Sequence, residues 1–400
     1  MRSHSLVRSY CMFLTSHLGV ISPAAKRVFH QNKRLILPLL ILVCLALPDL
    51  RAITITALSD AFFQVSVFVA ATLFIYYYAI DHLPQLELRY LNAKSPVLEV
   101  SFAAFLGMLP GCGGAIIVVT QFTKGQASFG AIVAVLTATM GDAAFLLLAT
   151  RPTEGLTIMA IGFVVGSVTG LIVNTLHKTG YLCPTDQKHT PQITLLPTKI
   201  ITLSKPIWYI AIIPGLLIAF LLAFNIDLSQ FGQYTTITVT HFGALMALFA
   251  VFMWALSSKG ESYKEVTSED DICSPPSKLT KVLQDTHFVT AWVVASFILF
   301  ELLVTVFGLD LKTWFLNYAY MAPLIAVLIG FLPGCGPQII VTTLYIQGVI
   351  PFSALAANAI SNDGDALFPA IAMTPKAAII ATIYTAIPAL MVGYGLYFLS

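Results

Sequence analysis

Of the 400 residues, 58% are hydrophobic and only 10% charged, with a mean hydropathy of +0.86. A water-soluble domain carries about 25% charged residues, so this chain lacks the polar surface to cover a globule and reads as an integral membrane protein. The net charge of +2 resides in loops and an N-terminal arm and forms no basic face for nucleic acid.

Residues 1–34 form that arm, with Arg2, Arg8, Lys26, Arg27, Lys33 and Arg34. Hydropathy then predicts spans near 35–50, 62–80, 129–150, 156–175, 206–224, 236–256, 287–307, 353–372 and 377–398. Each approaches the roughly 20 residues that cross a hydrocarbon core. The first follows basic residues as a signal peptide would, but it lacks a small-residue cleavage site and another span follows at once, so it reads as an anchored helix. Two further apolar stretches, about 97–123 and 318–347, are interrupted by Pro-Gly-Cys-Gly. Hydrophilic connections at about 176–205 and 257–286 are too short to be domains.

The predicted organisation is a cytoplasmic arm (1–34), a first membrane repeat (35–175), a cytoplasmic loop with a linking span (176–235), and a second membrane repeat (236–400) that includes the cytoplasmic loop 257–286. The expected fold is an all-α integral membrane protein with about nine to eleven membrane segments.

The repeat is legible directly. Residues 107–152 return at 330–375 without a gap, offset by 223, and 20 of the 46 paired positions are identical. Gly107-Met108-Leu109-Pro110-Gly111-Cys112-Gly113 returns as Gly330-Phe331-Leu332-Pro333-Gly334-Cys335-Gly336, and Gly141-Asp142-Ala143 returns as Gly364-Asp365-Ala366. Duplicated, interrupted hydrophobic segments carrying a carboxylate mark the binding site of a secondary transporter.

Lys and Arg counts choose a topology. If each interrupted segment re-enters on one side and the N-terminus is inside, 18 of the 21 basic residues are cytoplasmic, leaving Arg51, Arg151 and Lys312 outside. If both segments cross, the split falls to 11 against 10. The positive-inside rule prefers the first arrangement. Five crossings then separate the hairpins, so the repeats are expected to be inverted.

Pro110 and Pro333 each remove a helical hydrogen bond, and Gly111, Gly113, Gly334 and Gly336 relieve steric limits. The chain should unwind there and present bare carbonyl and N–H groups, which membranes tolerate only inside protein or beside a polar cavity. Asp142 and Asp365 lie well inside hydrophobic spans, and the second repeat adds Asn362 and Asp363. Intramembrane carboxylates are functional candidates by default; the bland alternative is an Asp capping a short helix.

Acids converging without a nearby Lys or Arg favour a cationic substrate or a proton, and would titrate as a coupled set. Cys112 and Cys335 read either as soft-metal ligands or as small packing residues. Cys44 lies in a hydrophobic run, Cys11, Cys183 and Cys273 are scattered, and no disulfide framework emerges. Thr120, Thr343, Gln121 and Gln338 are candidate polar lining. Glu301 is a candidate proton relay, and Glu99 is read as snorkelling to the interface. Asp60, Asp81, His82, His241 and His287 lie near span ends and read as interfacial.

The paired Leu-Pro-Gly-Cys-Gly and Gly-Asp-Ala motifs on a chain of about ten spans resemble the ten-span heavy-metal exporter family, whose members carry names such as arsenic efflux protein or manganese transporter. The resemblance covers most of the chain and implies metal efflux across a bacterial inner membrane.

Carboxylates, an amide and bare carbonyls suit a hard or borderline divalent ion, which makes Mn²⁺ the expected substrate, with Zn²⁺, Cd²⁺ or Co²⁺ admitted by the thiols. Trivalent arsenic wants about three thiols, and arsenite is neutral near pH 7. No Gly-x-x-x-x-Gly-Lys-Ser/Thr loop binds a nucleotide, so coupling is expected to protons, with no resident cofactor. A homodimer is compatible with such a chain.

The alternative is an arsenic-compound or other anion transporter, or a channel, using half-helix termini. An aspartyl protease is the other class; its Gly-x-Gly-Asp signature fails at Asn362 and Thr139.

Overall fold

The computed structural model describes residues 33–82, 88–123, 125–177, 181–182, 197–224, 226, 228–232, 234–257, 278–307, 315, 319–332, 334–367, 370–371 and 374–399. The described residues are helical, with no strand among them. Most of the N-terminal arm, Pro333, Lys312 and most of both hydrophilic loops lie outside them.

In chain order the helices are α1 (Ile36–Ala46), α2 (Pro48–Asp60), α3 (Val67–His82), α4 (Leu88–Lys94), α5 (Pro96–Met108), α6 (Gly113–Thr123), α7 (Phe129–Ala138) and α8 (Ala143–Thr150). Then come α9 (Pro152–Leu176), α10 (Pro197–Ala223), α11 (Thr235–Ser257), α12 (Lys278–Phe307), α13 (Ala322–Gly330), α14 (Cys335–Ile346), α15 (Phe352–Ser361) and α16 (Pro375–Leu399). Seven stretches are long and apolar enough to cross a membrane: Pro48–Ile80, Phe129–Thr150, Pro152–Leu176, Ser204–Ala223, Thr235–Leu256, Lys278–Leu299 and Pro375–Leu399.

Three expectations change. The predicted span 35–50 is not one helix: α1 ends at Ala46 because Pro48 opens a new helix at its first position, and α2 continues through a π-helical stretch, Ala61–Ser66, into α3. The predicted spans 129–150 and 353–372, read as continuous, are each broken beside their aspartate. Helix α7 stops at Ala138, and α8 resumes at Ala143; α15 stops at Ser361 and a 3-10 turn, Gly364–Ala366, follows. Each repeat therefore has two interruptions, one carrying a cysteine and one a carboxylate.

The duplication extends into three dimensions. Helix α15 matches α7 and α16 matches α9 residue for residue at the 223 offset. Three pairs of glycines at that offset share a positive φ: Gly111 (+92°) with Gly334 (+115°), Gly125 (+71°) with Gly348 (+74°), and Gly141 (+51°) with Gly364 (+58°). L-residues rarely adopt these angles, so the same chain reversals are built twice.

Local chemistry sets the helix ends. Ser95 caps α5 by accepting the Val97 N–H (3.3 Å), with Pro96 at the first position. Helix α5 ends at Leu109, which is extended (φ −64°, ψ 136°), as expected of a residue before proline.

Packing places the broken segments inside. Of the most apolar window of 129–150, 89% is buried, against 28% for 152–176. Helix α9 presses glycines on α7: a side chain at Gly166 would meet the Ala134 carbonyl at 2.6 Å, and one at Gly170 the Gly130 carbonyl at 2.6 Å. Small residues permit such close approach between membrane helices. On the other face Leu156, Val164 and Val168 are exposed, as are their equivalents Ile379, Ile387 and Met391 on α16, the apolar stripes expected of lipid-facing helices.

Candidate metal centre

The two kinds of interruption meet at one point. Helix α6 of the first repeat packs on the Gly364–Ala366 turn of the second, and α14 of the second packs on α8 of the first. Within the first repeat the breaks are tied by the Gly111 N–H donating to the Gly141 carbonyl (3.0 Å).

Cys112, Asp142, Cys335 and Asp365 each present one donor atom there, all within 4.8 Å of one another. The sulfurs of Cys112 and Cys335 are 3.1 Å apart. Both thiols donate to the same oxygen of Asp365, Oδ2, from 3.3 Å and 2.9 Å respectively. All four residues are buried, Asp142 at 8% exposure being the most open.

Glycine makes this approach feasible. A side chain at Gly141 would sit 2.7 Å from the Cys335 sulfur and 3.2 Å from the Cys112 sulfur, and one at Gly364 would lie 3.7 Å from the Cys112 sulfur. At the other breaks, Gly111 faces Asp142 Oδ1 and Gly334 faces Asp365 Oδ1. Each Pro-Gly-Cys-Gly break thus contacts the carboxylate of its own repeat, and each Gly-Asp glycine contacts the cysteine of the other.

The carboxylates are under-satisfied. Neither oxygen of Asp142 makes a hydrogen bond of normal geometry, and Asp365 Oδ1 makes none. Asp142 occupies the N-cap position of α8 without a capping bond, so the capping reading fails on its own terms. Among the described residues, the groups acting electrostatically on Asp142 are Asp365 and Cys335, neither of them basic. Buried charge without a partner costs several kcal/mol, and buried oxygens without donors suit a bound cation.

The remaining predicted residues divide. Gln338, fully buried on α14, has an amide oxygen within 3.5 Å of the position a Gly141 side chain would occupy, and that amide has no partner, so it adjoins the sulfurs. Asn362 accepts the Gly364 N–H through Oδ1 (2.7 Å) and shapes the turn that carries Asp365, while its Nδ2 is unpartnered. Asp363, predicted as a ligand, is not in the group: its two oxygens accept from Thr382 and Thr385 of α16. Thr343 donates to its own helix at the Ile339 carbonyl (2.8 Å). Thr120 and Gln121 are buried in α6.

Glu301, predicted as a relay, is exposed on α12, and its electrostatic partner is Asp60. Glu99 does not snorkel. It is fully buried and accepts the Ser128 N–H (2.7 Å) through Oε1, fastening α5 to the start of α7. His287 is 1% exposed, and its Nε2 accepts from the Trp208 indole (2.9 Å). The carboxylate of Asp81 lies outside the described residues. Sequence reasoning missed Ser296, whose hydroxyl lies beside Gly334, and Thr139, whose buried hydroxyl lacks a partner. Thr139 was findable as the residue matched to Asn362; nothing in the sequence pointed to Ser296.

A sequence model of the family described as "Putative, 10TM heavy-metal exporter" matches residues 49–400. The chain belongs to that family. This member of the ten-span exporters places its described Pro-Gly-Cys-Gly and Gly-Asp residues around one buried point. No curated protein and no solved structure matches the chain.

Proposed function

We propose that this exporter moves a thiophilic divalent cation out of the cell, across a bacterial inner membrane, by proton-coupled alternating access. The observation that carries the reading is the convergence of two thiols and two carboxylates, all buried, within 4.8 Å. Two sulfurs and two oxygens suit tetrahedral Zn²⁺, Cd²⁺ or Co²⁺. Mn²⁺, the ion favoured by the carboxylates and carbonyls alone, would lean on Asp142, Asp365 and the Gln338 amide.

The chemistry of exchange follows from the charges. A divalent ion held by two carboxylates and two thiolates displaces the thiol protons as it binds; when it leaves, protons must return to these groups or their charges stay buried. The ligands come from both repeats, so movement of one repeat against the other dismantles the site and opens it. Two acids with no basic partner also disfavour the anion reading, because they would repel an oxyanion at the half-helix termini.

Reconstituted into liposomes with a trapped metal indicator and a pH dye, the protein should carry Zn²⁺, Cd²⁺ or Co²⁺ faster than Mn²⁺, with opposite proton movement. Flux of an arsenic compound or an oxyanion, with no flux of any divalent ion, would establish the alternative instead.

The inverted arrangement is part of this reading, supported by the paired breaks and by the distribution of basic residues. Lys124→Cys and Gln347→Cys, each alone in a cysteine-free background, should react with a membrane-impermeant maleimide from opposite sides, Lys124 from the cytoplasm. Reaction of both from one side would mean that the repeats are parallel.

A further inference from the structure

We propose that Cys112 and Cys335 are also a site of oxidative modification: a peroxide converts them into a disulfide that joins the two repeats and shuts the site. The inference goes beyond the transport reading, because it concerns covalent chemistry between the thiols and needs no metal.

Two observations carry it. The sulfurs are 3.1 Å apart, so a bond length of about 2.05 Å requires an approach of only about 1 Å. No side chain stands between them, since their neighbours Gly141 and Gly364 lack Cβ atoms, and a Cβ at Gly141 would lie within 3.2 Å of both sulfurs. Cys44, the third described free cysteine, is buried in α1, outside this group.

The chemistry balances. One thiol gives up its proton to water and its sulfur attacks one peroxide oxygen. The O–O bond breaks, a sulfenic acid forms, and the departing hydroxide takes that proton and leaves as water. The sulfur of the second thiol then attacks the sulfenic sulfur, the S–O bond breaks, and the departing hydroxide takes the second thiol's proton and leaves as a second water. Overall, two thiols and one hydrogen peroxide give one disulfide and two waters. Hydrogen peroxide is little larger than water and reaches the site when the transporter opens to solution.

The two cysteines occupy equivalent positions of the two repeats, so the bond ties together the parts whose separation opens the site. It also removes both sulfur ligands. An oxidised transporter would therefore neither bind nor move its ion until a thiol reductant restored it.

The test uses full-length protein in detergent in which Cys11, Cys44, Cys183 and Cys273 are replaced by Ser. After hydrogen peroxide, peptide mapping should find residues 112 and 335 joined, with the intact mass lowered by two hydrogens and restored by dithiothreitol. Prior addition of Zn²⁺ should slow the reaction at least tenfold. Two free thiols after peroxide, or separate sulfinic and sulfonic acids, in protein that remains monodisperse would overturn the proposal. A disulfide that forms in protein unable to bind Zn²⁺ when reduced would uphold it and count against the transport reading alone.

Discussion

Replacing Asp142 or Asp365 by Asn should abolish metal-driven proton movement while leaving the protein folded. The substitution keeps size and shape and removes one of two anionic ligands. Changes to groups that merely support a metal's ligands cost 10–100-fold in affinity, so loss of a ligand should cost about 100-fold or more, which is about 2.8 kcal/mol. In Asp142→Asn stability should rise or stay unchanged. Neither Asp142 oxygen has a hydrogen-bond partner, so neutralising it removes a buried charge and breaks no bond.

Asp363→Asn makes the contrast. Its carboxylate is engaged by Thr382 and Thr385, so transport should fall only a few-fold while thermal stability drops. The measurement is proton and metal flux in liposomes, with monodispersity and thermal unfolding as controls. Near-normal flux in Asp142→Asn and Asp365→Asn would move the site elsewhere.

Cys112→Ser and Cys335→Ser should change which ions bind more than whether ions bind. A serine hydroxyl is a poor substitute for a thiolate towards Cd²⁺ or Zn²⁺, and soft ligands select soft ions. Calorimetric affinity for Cd²⁺ should drop about 100-fold in either variant, whereas Mn²⁺ should lose no more than about tenfold, since its ligands are oxygens. Volume barely changes, so the fold should persist. Equal losses for Cd²⁺ and Mn²⁺ would mean that the cysteines act through packing. Unchanged affinities would remove them from the site.

These two experiments test residues that were visible in the sequence for one reason. A duplication at a fixed offset picks out positions that ordinary membrane helices do not need, and Cys112, Cys335, Asp142 and Asp365 all lie on it. Residues without a repeat partner were read less well. Glu99 is matched to Ala322 and was assigned to the interface, but it is buried against the start of α7. Glu301 was taken for a relay because it is an acid in an apolar span, yet its side chain is exposed. Hydropathy counts residues along the chain and does not register which side of a helix faces its neighbours.

Composition alone determined that this chain lives in a membrane, because 10% charged residues cannot cover a water-facing surface. The repeat singled out the candidate residues and the Pro-Gly-Cys-Gly breaks, since proline and glycine act locally through missing donors and permitted φ values, but not the breaks beside the aspartates. Only the tertiary structure decided that Cys112, Asp142, Cys335 and Asp365 share one point. Cys112 and Asp365 are 253 residues apart, and what joins them is the reciprocal packing of each half-helix on the other repeat's Gly-Asp turn. It also decided that Asp363, two residues from Asp365, turns to α16 instead. A break in a helix sets its own direction by local sterics, but which side chain then points at which depends on contacts that the sequence does not order by distance along the chain.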